Sequence, residues 1–158
     1  MKALYIRLEG VSIMAMLGSR ILVAYDNSEW SRKALDTAVR IAGQDSGIAL
    51  HIVHVIEPLN IPVPTYGTGI DNLWKWRREN AENMMAEVKE SLQSLSNPVT
   101  IHIEDGSPGE RVVHTAQEQQ CDLIVMGSRG LTGIKELFLG SVSHYVVQRS
   151  SCPVLIVK

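Results

Sequence analysis

Apolar runs of strand length alternate along this chain with longer segments in which apolar residues recur at helical spacing. The first run, Ile21–Tyr25, is apolar throughout, as a parallel strand buried on both faces requires. Ser28 then caps a predicted helix, and Gly43 stands where a left-handed cap would end it. A second strand is predicted at Ala49–Ile56. This alternation predicts an α/β fold with a parallel sheet.

The segment over residues 57–70 interrupts the alternation. It contains three prolines and two glycines, so we predict neither a helix nor a central strand there. A loop of this length is often a lid or a contact surface. One long helix is predicted to follow over Asp71–Ser96, and Asn97-Pro98 ends it.

The second half of the chain continues the strand and helix pattern. Val99–Ile103 predicts a short strand, and Ser107 begins a helix that runs to about Gln119. Pro108 suits the first helical position, and Glu110 completes a capping box. The remaining elements are, in order, a strand at Asp122–Met126, a glycine-rich segment to Gly140, a helix opened by Ser141 and a strand at Val154–Val157.

Length and composition favour one compact domain in a reducing compartment. The chain has 158 residues, of which 45% are hydrophobic and 20% charged, with a net charge of −2. A net charge of −2 gives no indication of a basic face that would bind nucleic acid or an acidic membrane. Only two cysteines occur, no apolar run reaches the about 18 residues of a membrane span, and Arg7 and Glu9 interrupt the apolar start that a signal peptide needs. We expect a cytoplasmic protein.

The clearest chemical signal is the segment that begins at Gly127–Gly130 and, nine residues later, ends at Gly140–Ser143. Glycines let backbone N–H groups approach an anion, and a helix start adds unpaired N–H donors and a positive dipole end. The two serine hydroxyl groups of the second part could donate further hydrogen bonds, and Arg129 or Lys135 could supply charge. Taken singly, these glycines and serines would more often shape a turn and cap a helix. From these residues alone, a phosphate-binding loop and a structural turn followed by a helix cap are both open.

Two better-known phosphate motifs are absent from the sequence. There is no G-x4-G-K-[ST] loop, so a P-loop NTPase mechanism is not supported. No G-x-G-x-x-G follows a strand either, since Gly67-Thr68-Gly69 stands alone in the proline-rich segment. Nor does the sequence provide an identifiable general base or nucleophile beside the phosphate segment. Binding is therefore predicted in preference to efficient catalysis.

With this spacing the sequence resembles the universal stress protein family, whose nucleotide-binding branch carries the motif G-x2-G-x9-G-[ST]. Gly127, Gly130, Gly140 and Ser141 match that motif. The resemblance covers nearly the whole chain, and it is clearest in the opening strand with its acidic turn, at the end of the second strand and in the last strand, which are residues 21–26, 54–57 and 152–157.

The resemblance also divides the chain. Residues 17–158 would form a single universal stress protein domain, and residues 1–16 have no counterpart in the family. We expect an N-terminal extension there that could be disordered. The origin of this extension stays open between an upstream start codon, a cloning residue and a native arm.

The family resemblance implies an open five-stranded parallel sheet in the order 3-2-1-4-5 with helices on both faces, which is Rossmann-like and of the adenine nucleotide hydrolase type. Strands 1 and 4 would form a topological switch point, where a crevice opens at the carboxyl ends of the strands. ATP, or else ADP or AMP, would bind across these two strands. Mg²⁺ could arrive with the phosphates.

The resemblance further implies a role for individual residues. The carboxylate of Asp26 would accept hydrogen bonds from the ribose, while the backbone of Ala24 and Val55 would face the adenine. Many members carry proline where this chain has Ala24, and we expect little effect because the backbone makes the contact. The implied nucleotide-binding set is Ala24, Tyr25, Asp26, Val55, Met126, Gly127, Arg129, Gly130, Gly140, Ser141, Val142 and Ser143.

The function implied by this resemblance is that of an ATP-binding stress-response protein, a homodimeric sensor or regulator that pairs through Val154–Val157. One alternative is a slow Mg²⁺-dependent ATPase that uses the same pocket. A second alternative is a partner-binding module with a vestigial pocket, which would engage its partner through residues 57–70 or the region of Trp74.

The remaining signals are weak. His51 and His54 fall on opposite faces of a strand, and the other histidines have no companion cysteine or carboxylate at ligand spacing, so no metal site is predicted. The stretch Trp74–Arg78 is interpreted as the start of a helix with a solvated basic face, in preference to a nucleic-acid surface or a dimer contact. Cys121 and Cys152 precede strands expected to be neighbours, so their thiols could lie together at one edge.

Overall fold

Five strands and four helices alternate in the computed structural model, which describes residues 19–58, 68–130 and 139–158. The expectations for residues 1–16 and for most of the proline-rich segment lie outside the described residues. The elements in chain order are β1 (Arg20–Ala24), α1 (Glu29–Ala42), β2 (Ala49–Ile56), α2 (Thr68–Ser91), β3 (Val99–Asp105), α3 (Pro108–Glu118), β4 (Leu123–Gly127), α4 (Ser141–Arg149) and β5 (Val154–Val157).

The strands form one parallel sheet in the order β3-β2-β1-β4-β5, which confirms the expected fold class. The central strand β1 pairs with β2 on one side and β4 on the other, so that Ala24 stands opposite both Val53 and Met126. Because the connections leave β1 and β4 in opposite directions, a crevice opens between the carboxyl ends of these two strands.

Each face of the sheet is covered by two helices. Apolar side chains of α1 and α2 pack on one face, around Ile21, Val23 and Ile52. Those of α3 and α4 pack on the other face, around Leu22 and Ile124. The continuous apolar runs of β1 and β4 are explained by this two-sided burial. No helix in the described ranges is long and apolar enough to cross a membrane.

The two ends of α1 differ in how well the sequence predicted them. Ser28 caps the helix as expected, since its hydroxyl accepts from the Ser31 N–H at 3.1 Å. The left-handed cap predicted at Gly43 is wrong, because this residue is right-handed with φ −63° and ψ −10°. The Asn97 side-chain amide donates to the carbonyl of Ala42, the last residue of α1, at 2.9 Å. The Asp45 N–H donates to the same carbonyl at 3.1 Å, so a local backbone donor and a distant side chain together serve the end of α1.

Helix α2 is shifted towards the N-terminus relative to the prediction. It begins at Thr68, inside the segment predicted to be a loop as far as Ile70, because a first turn tolerates glycine where its N–H groups have no helical partner. It ends at Ser91, and the predicted last turn is replaced by i to i+3 hydrogen bonds such as Leu95 N–H to Leu92 O at 3.0 Å.

The start of α3 was predicted only in part. Pro108 does occupy the first turn and Ser107 the cap position, but the Ser107 side chain makes no capping hydrogen bond, so the predicted capping box is wrong. The Ser107 side chain is exposed to solvent instead. The strand before this helix, β3, runs to Asp105 because its pairing with β2 continues to Ile56.

Candidate functional site

A cavity of about 840 Å³ lies at the carboxyl ends of β1, β2 and β4. It opens at the switch point, and the starts of α3 and α4 and the middle of α2 complete its walls. All twelve residues of the predicted nucleotide-binding set line this one cavity. The structure therefore brings together residues that are spread over most of the chain.

The end of β1 holds Asp26 in a fixed position. Its Oδ1 accepts a hydrogen bond from the Ser28 N–H at 3.0 Å, across a turn in which Asn27 is left-handed with φ 63°. Asp26 also approaches Gly130 from the other side of the crevice, so that a Cβ at Gly130 would lie 2.6 Å from Oδ2. A carboxylate thus lines the cavity between the end of β1 and Gly130.

The end of β4 and the start of α4 are joined by short hydrogen bonds. The Gly140 N–H donates to the Ser128 carbonyl at 2.8 Å. The buried hydroxyl of Ser143 lies 2.9 Å from the Gly140 carbonyl and 3.1 Å from that of Ser128. Gly127 packs against helix α1, where a Cβ would come 2.7 Å from Cβ of Trp30. The geometry of the phosphate segment is therefore fixed at both of its described ends.

The start of α4 suits an anion. Its cap position is Gly140, which has no side chain, so no capping oxygen competes for the N–H groups of the first turn. These N–H groups and the positive end of the helix dipole face the cavity at Ser141, Val142 and Ser143. The side-chain role expected of Ser143 changes, because its single hydroxyl proton is already donated to backbone carbonyls. The Ser141 side chain is exposed.

Helix α2 contributes a wall that the sequence analysis missed. Trp76, Arg77 and Asn80 line the cavity beside Ala81 and Met84. Four of these residues follow the helical spacing i, i+3, i+4, i+7, so they share one face of α2. The sequence does carry a signal for them: Arg77 and Asn80 are polar residues on the same helix face whose later residues are apolar and pack into the core.

Two further contacts hold this wall against the sheet. Nη1 of Arg77 donates to the Glu57 carbonyl at 2.7 Å, and Arg78 forms an ion pair with Asp105 at the end of β3. Nδ1 of His54 lies 2.9 Å from the Tyr25 carbonyl. Because a carbonyl only accepts, this His54 nitrogen carries the proton, and the ends of β1 and β2 are joined beside the cavity.

A histidine pair lies on the sheet face covered by α3. Nδ1 of His51 is 3.1 Å from Nε2 of His102, and the two rings stack with centroids 5.3 Å apart. The β2–β3 register brings the two rings together, because it places Thr100 and His102 beside His51 and Val53. Burial lowers the pKa of both imidazoles. Among the described residues no group of three or more potential metal ligands converges.

The two thiols lie in the same region of the molecule, as expected. Cys121 is buried and Cys152 packs against the same apolar cluster, on the side of α3 and α4. Burial is the main cause that raises the pKa of the Cys121 thiol to about 11, and the neighbouring Cys152 adds to the effect. Such a thiol is a poor nucleophile at neutral pH.

Fold and cavity together define a doubly wound α/β protein with an uncapped helix start at its switch point. The model of the universal stress protein family matches residues 19–158, and the chain belongs to that family. Universal stress protein YxiE of Bacillus subtilis is 35% identical over 148 residues, which are 89% of this chain and 99% of the relative.

Solved structures show the same architecture. Universal stress protein UspA from Lactobacillus plantarum superposes with a TM-score of 0.80 at 25% identity, over 89% of this chain and 97% of the other. A universal stress protein crystallised in complex with cAMP has a TM-score of 0.57 and 28% identity, again over 89% of this chain and 97% of that one.

Proposed function

We propose that the protein binds an adenine nucleotide, with ATP the preferred candidate, and acts in the stress response as a homodimeric sensor or regulator. The observation that carries the proposal is the meeting of Asp26, Gly130 and the uncapped start of α4 in one cavity at the switch point. It is further supported by the cAMP complex of a universal stress protein that shares 28% of its residues with this chain.

The cavity divides into parts that suit the parts of a nucleotide. The N–H groups at the start of α4 provide donors for phosphate oxygens. Asp26 provides an acceptor for ribose hydroxyl groups, and apolar side chains such as Val55 and Met126 provide a surface for the base. Where ATP binds with Mg²⁺, the phosphates carry the ion into the site.

Binding without rapid hydrolysis is the activity we propose. Among the described residues that line the cavity, the only carboxylates are Asp26 and Glu57. Asp26 accepts a hydrogen bond from the Ser28 N–H and is assigned to the ribose. Glu57 follows the end of β2, where its backbone carbonyl anchors Arg77 of α2. We therefore assign neither carboxylate as a base for an attacking water.

Dimerisation through β5 forms part of the proposal. Within the described sheet β5 pairs with β4 alone, and its side chain Leu155 is 37% exposed. An apolar edge strand of this kind favours pairing with a second copy across a two-fold axis. Sedimentation equilibrium of the Leu155→Glu variant tests this: a monomer is expected, and an unchanged dimer or a monomeric wild-type protein would overturn the β5 interface.

Thermal unfolding tests the binding proposal directly. Protein stripped of co-purified ligand is titrated with ATP, ADP, AMP and cAMP, with and without Mg²⁺. At about a hundredfold excess over Kd a ligand stabilises the folded state by about 2.7 kcal/mol, which for a domain of this size raises Tm by roughly 5–10 °C. A saturable rise is expected. The absence of any rise with all four nucleotides would overturn the proposal.

A further inference from the structure

The inward face of α2 changes character along its length. In the second half of the helix this face is apolar, and Ala81, Met85 and Val88 are buried against the sheet. One turn earlier the same face presents Arg77 and Asn80, and both line the cavity. Arg77 anchors the helix to the Glu57 carbonyl, so Asn80 is the polar residue of this stretch that an occupant of the cavity would explain.

Asn80 is the polar group best placed to meet that occupant. Its carboxamide lines the cavity and has no hydrogen-bond partner among the described residues. The helix that carries it is held one turn earlier by the 2.7 Å hydrogen bond between Arg77 and the Glu57 carbonyl. An anchored helix therefore presents two amide N–H donors and one acceptor to the cavity.

Trp76 adds an aromatic surface at the same place. Its side chain is 60% exposed although it borders the cavity, and it lies one helical turn before Asn80. A flat ring beside an amide is the combination that binds a nucleic-acid base, by stacking and by edge recognition. Stacking is sequence-tolerant, whereas the amide discriminates between bases.

The position of α2 fits the base and not the phosphates. The phosphate end of the cavity lies at β4 and α4, and α2 borders the cavity beyond the end of β2. With β1 between them, β4 and β2 are two strand spacings apart, which is about 10 Å. A nucleotide with its phosphates at α4 therefore extends its base towards α2.

We propose that the middle of α2, residues 76–84, is the base-recognition wall of the site, in which Trp76 covers the base and Asn80 selects adenine; this inference rests on the proposed function. A carboxamide can donate to N7 of adenine and accept from its N6 amino group. Guanine presents acceptors at both positions, so the amide oxygen would face another acceptor. The wall thus gives the site a preference for adenine over guanine.

Calorimetric titration with ATP and GTP tests the role of Asn80. The wild-type protein is expected to prefer ATP, and Asn80→Ala to bind ATP about tenfold more weakly with little preference left. Asn83→Ala is the matched control, because Asn83 is an exposed asparagine of the same helix that does not line the cavity. This control is expected to bind both nucleotides as the wild type does.

The cover role of Trp76 is tested with the same two nucleotides. Trp76→Ala is expected to weaken ATP and GTP binding alike, by about tenfold, and Trp76→Phe to restore most of the affinity because a stacking surface is retained. Leu73→Ala, at a 37% exposed position of the same helix outside the cavity, provides the control.

The outcomes separate the two proposals. A wild-type protein that binds no nucleotide would overturn the proposed function, and this inference with it. If ATP binds but the wild type does not distinguish it from GTP, or if Asn80→Ala keeps the wild-type affinities, only the base-recognition wall is wrong. Thermal unfolding without ligand verifies that each variant is folded, and these exposed helix positions are expected to leave Tm within a few degrees of the wild type.

Discussion

Gly130 and Asp26 approach each other so closely across the crevice that a Cβ on Gly130 would lie 2.6 Å from Oδ2 of Asp26. Such a separation is well below an ordinary contact, and the Asp26 carboxylate is already held at Oδ1 by the Ser28 N–H at 3.0 Å. Glycine at position 130 is thus explained by the space that the carboxylate occupies.

Replacing Gly130 with alanine is therefore expected to impair binding far more than folding. The added methyl group displaces the end of a side chain, which can rotate away at small cost, but the displaced Asp26 no longer occupies its place in the cavity. We expect Gly130→Ala to lower ATP affinity at least tenfold, measured by calorimetry, with Tm changed by no more than a few degrees.

Gly69→Ala is the matched control for this variant. No heavy atom lies within 4 Å of a Cβ built on Gly69, which stands in the first turn of α2. Alanine also favours a helix over glycine, so Tm should be unchanged or slightly raised and affinity preserved. Wild-type affinity in Gly130→Ala would show that the contact between Gly130 and Asp26 is irrelevant to the ligand.

Gly127→Ala is expected to damage the fold itself. Here a Cβ would lie 2.7 Å from Cβ and 2.9 Å from the backbone carbonyl carbon of Trp30, and a helix backbone cannot rotate out of the way. Overpacking of this kind costs about 1–3 kcal/mol of unfolding free energy. The midpoint of urea denaturation should fall accordingly.

Gly140→Ala provides the comparison for Gly127. Its Cβ would meet only ordinary contacts, the nearest being Cα of Arg129 at 3.4 Å, and its backbone is extended with φ −70° and ψ 163°. Alanine is a poor cap, so a loss of up to about 1 kcal/mol is expected. A larger loss for Gly140→Ala than for Gly127→Ala would contradict this reading of the two packing environments.

The part of the site that could be predicted from the sequence is the part encoded locally. The turn after β1 and the glycine pattern around α4 each stand in one short stretch, and in an α/β fold the carboxyl ends of the strands must converge. Strand β2 was predicted with the bounds Ala49–Ile56 that the structure shows, because its run, apolar apart from His51 and His54, is bounded by turn residues.

The part that could not be predicted depends on packing between distant segments. Asn80 becomes a cavity residue only once the rotation of α2 on the sheet is known, and His51 meets His102 only through the β2–β3 register. The end of α1 also involves Asn97, whose amide nitrogen lies 2.8 and 2.9 Å from the Asp45 and Ile48 carbonyls. Its two N–H groups are shared among these and the Ala42 carbonyl. Local propensity carries no information about such partners.

The histidine pair makes stability depend on pH. Burial, followed by the charges of His102 and Arg20, lowers the pKa of His51. Burial also lowers the pKa of His102, and the carboxylates of Glu104 and Glu118 oppose this effect in part. Because both folded pKa values lie below the ordinary 6.5, the unfolded chain takes up protons first as the pH falls. The contribution of the pair is complete above pH 6.5 and is lost as the pH falls towards the folded pKa values.

Urea denaturation at about pH 7.5 and about pH 5.5 measures this dependence. We expect the midpoint of the wild-type protein to fall between the two pH values, and to fall less in His102→Gln, whose amide can replace Nε2 as a hydrogen-bonding group without titrating. His144→Gln, at an exposed histidine of α4, should retain the wild-type dependence. If the midpoint falls equally between the two pH values in the wild type and in His102→Gln, the histidine pair does not cause the pH dependence of stability.

The two serines at the start of α4 are expected to behave differently when each is replaced by alanine. The Ser143 hydroxyl is buried and bonded to the carbonyls of Gly140 and Ser128, so Ser143→Ala leaves buried acceptors short of a donor and should cost about 1–2 kcal/mol of unfolding free energy. Ser141 is exposed, and Ser141→Ala should change that free energy by less than about 0.5 kcal/mol. Loss of ATP affinity without loss of stability in Ser141→Ala would place its hydroxyl on the ligand. Equal stability of the two variants would contradict the conclusion that the hydrogen bonds of Ser143 join the end of β4 to the start of α4.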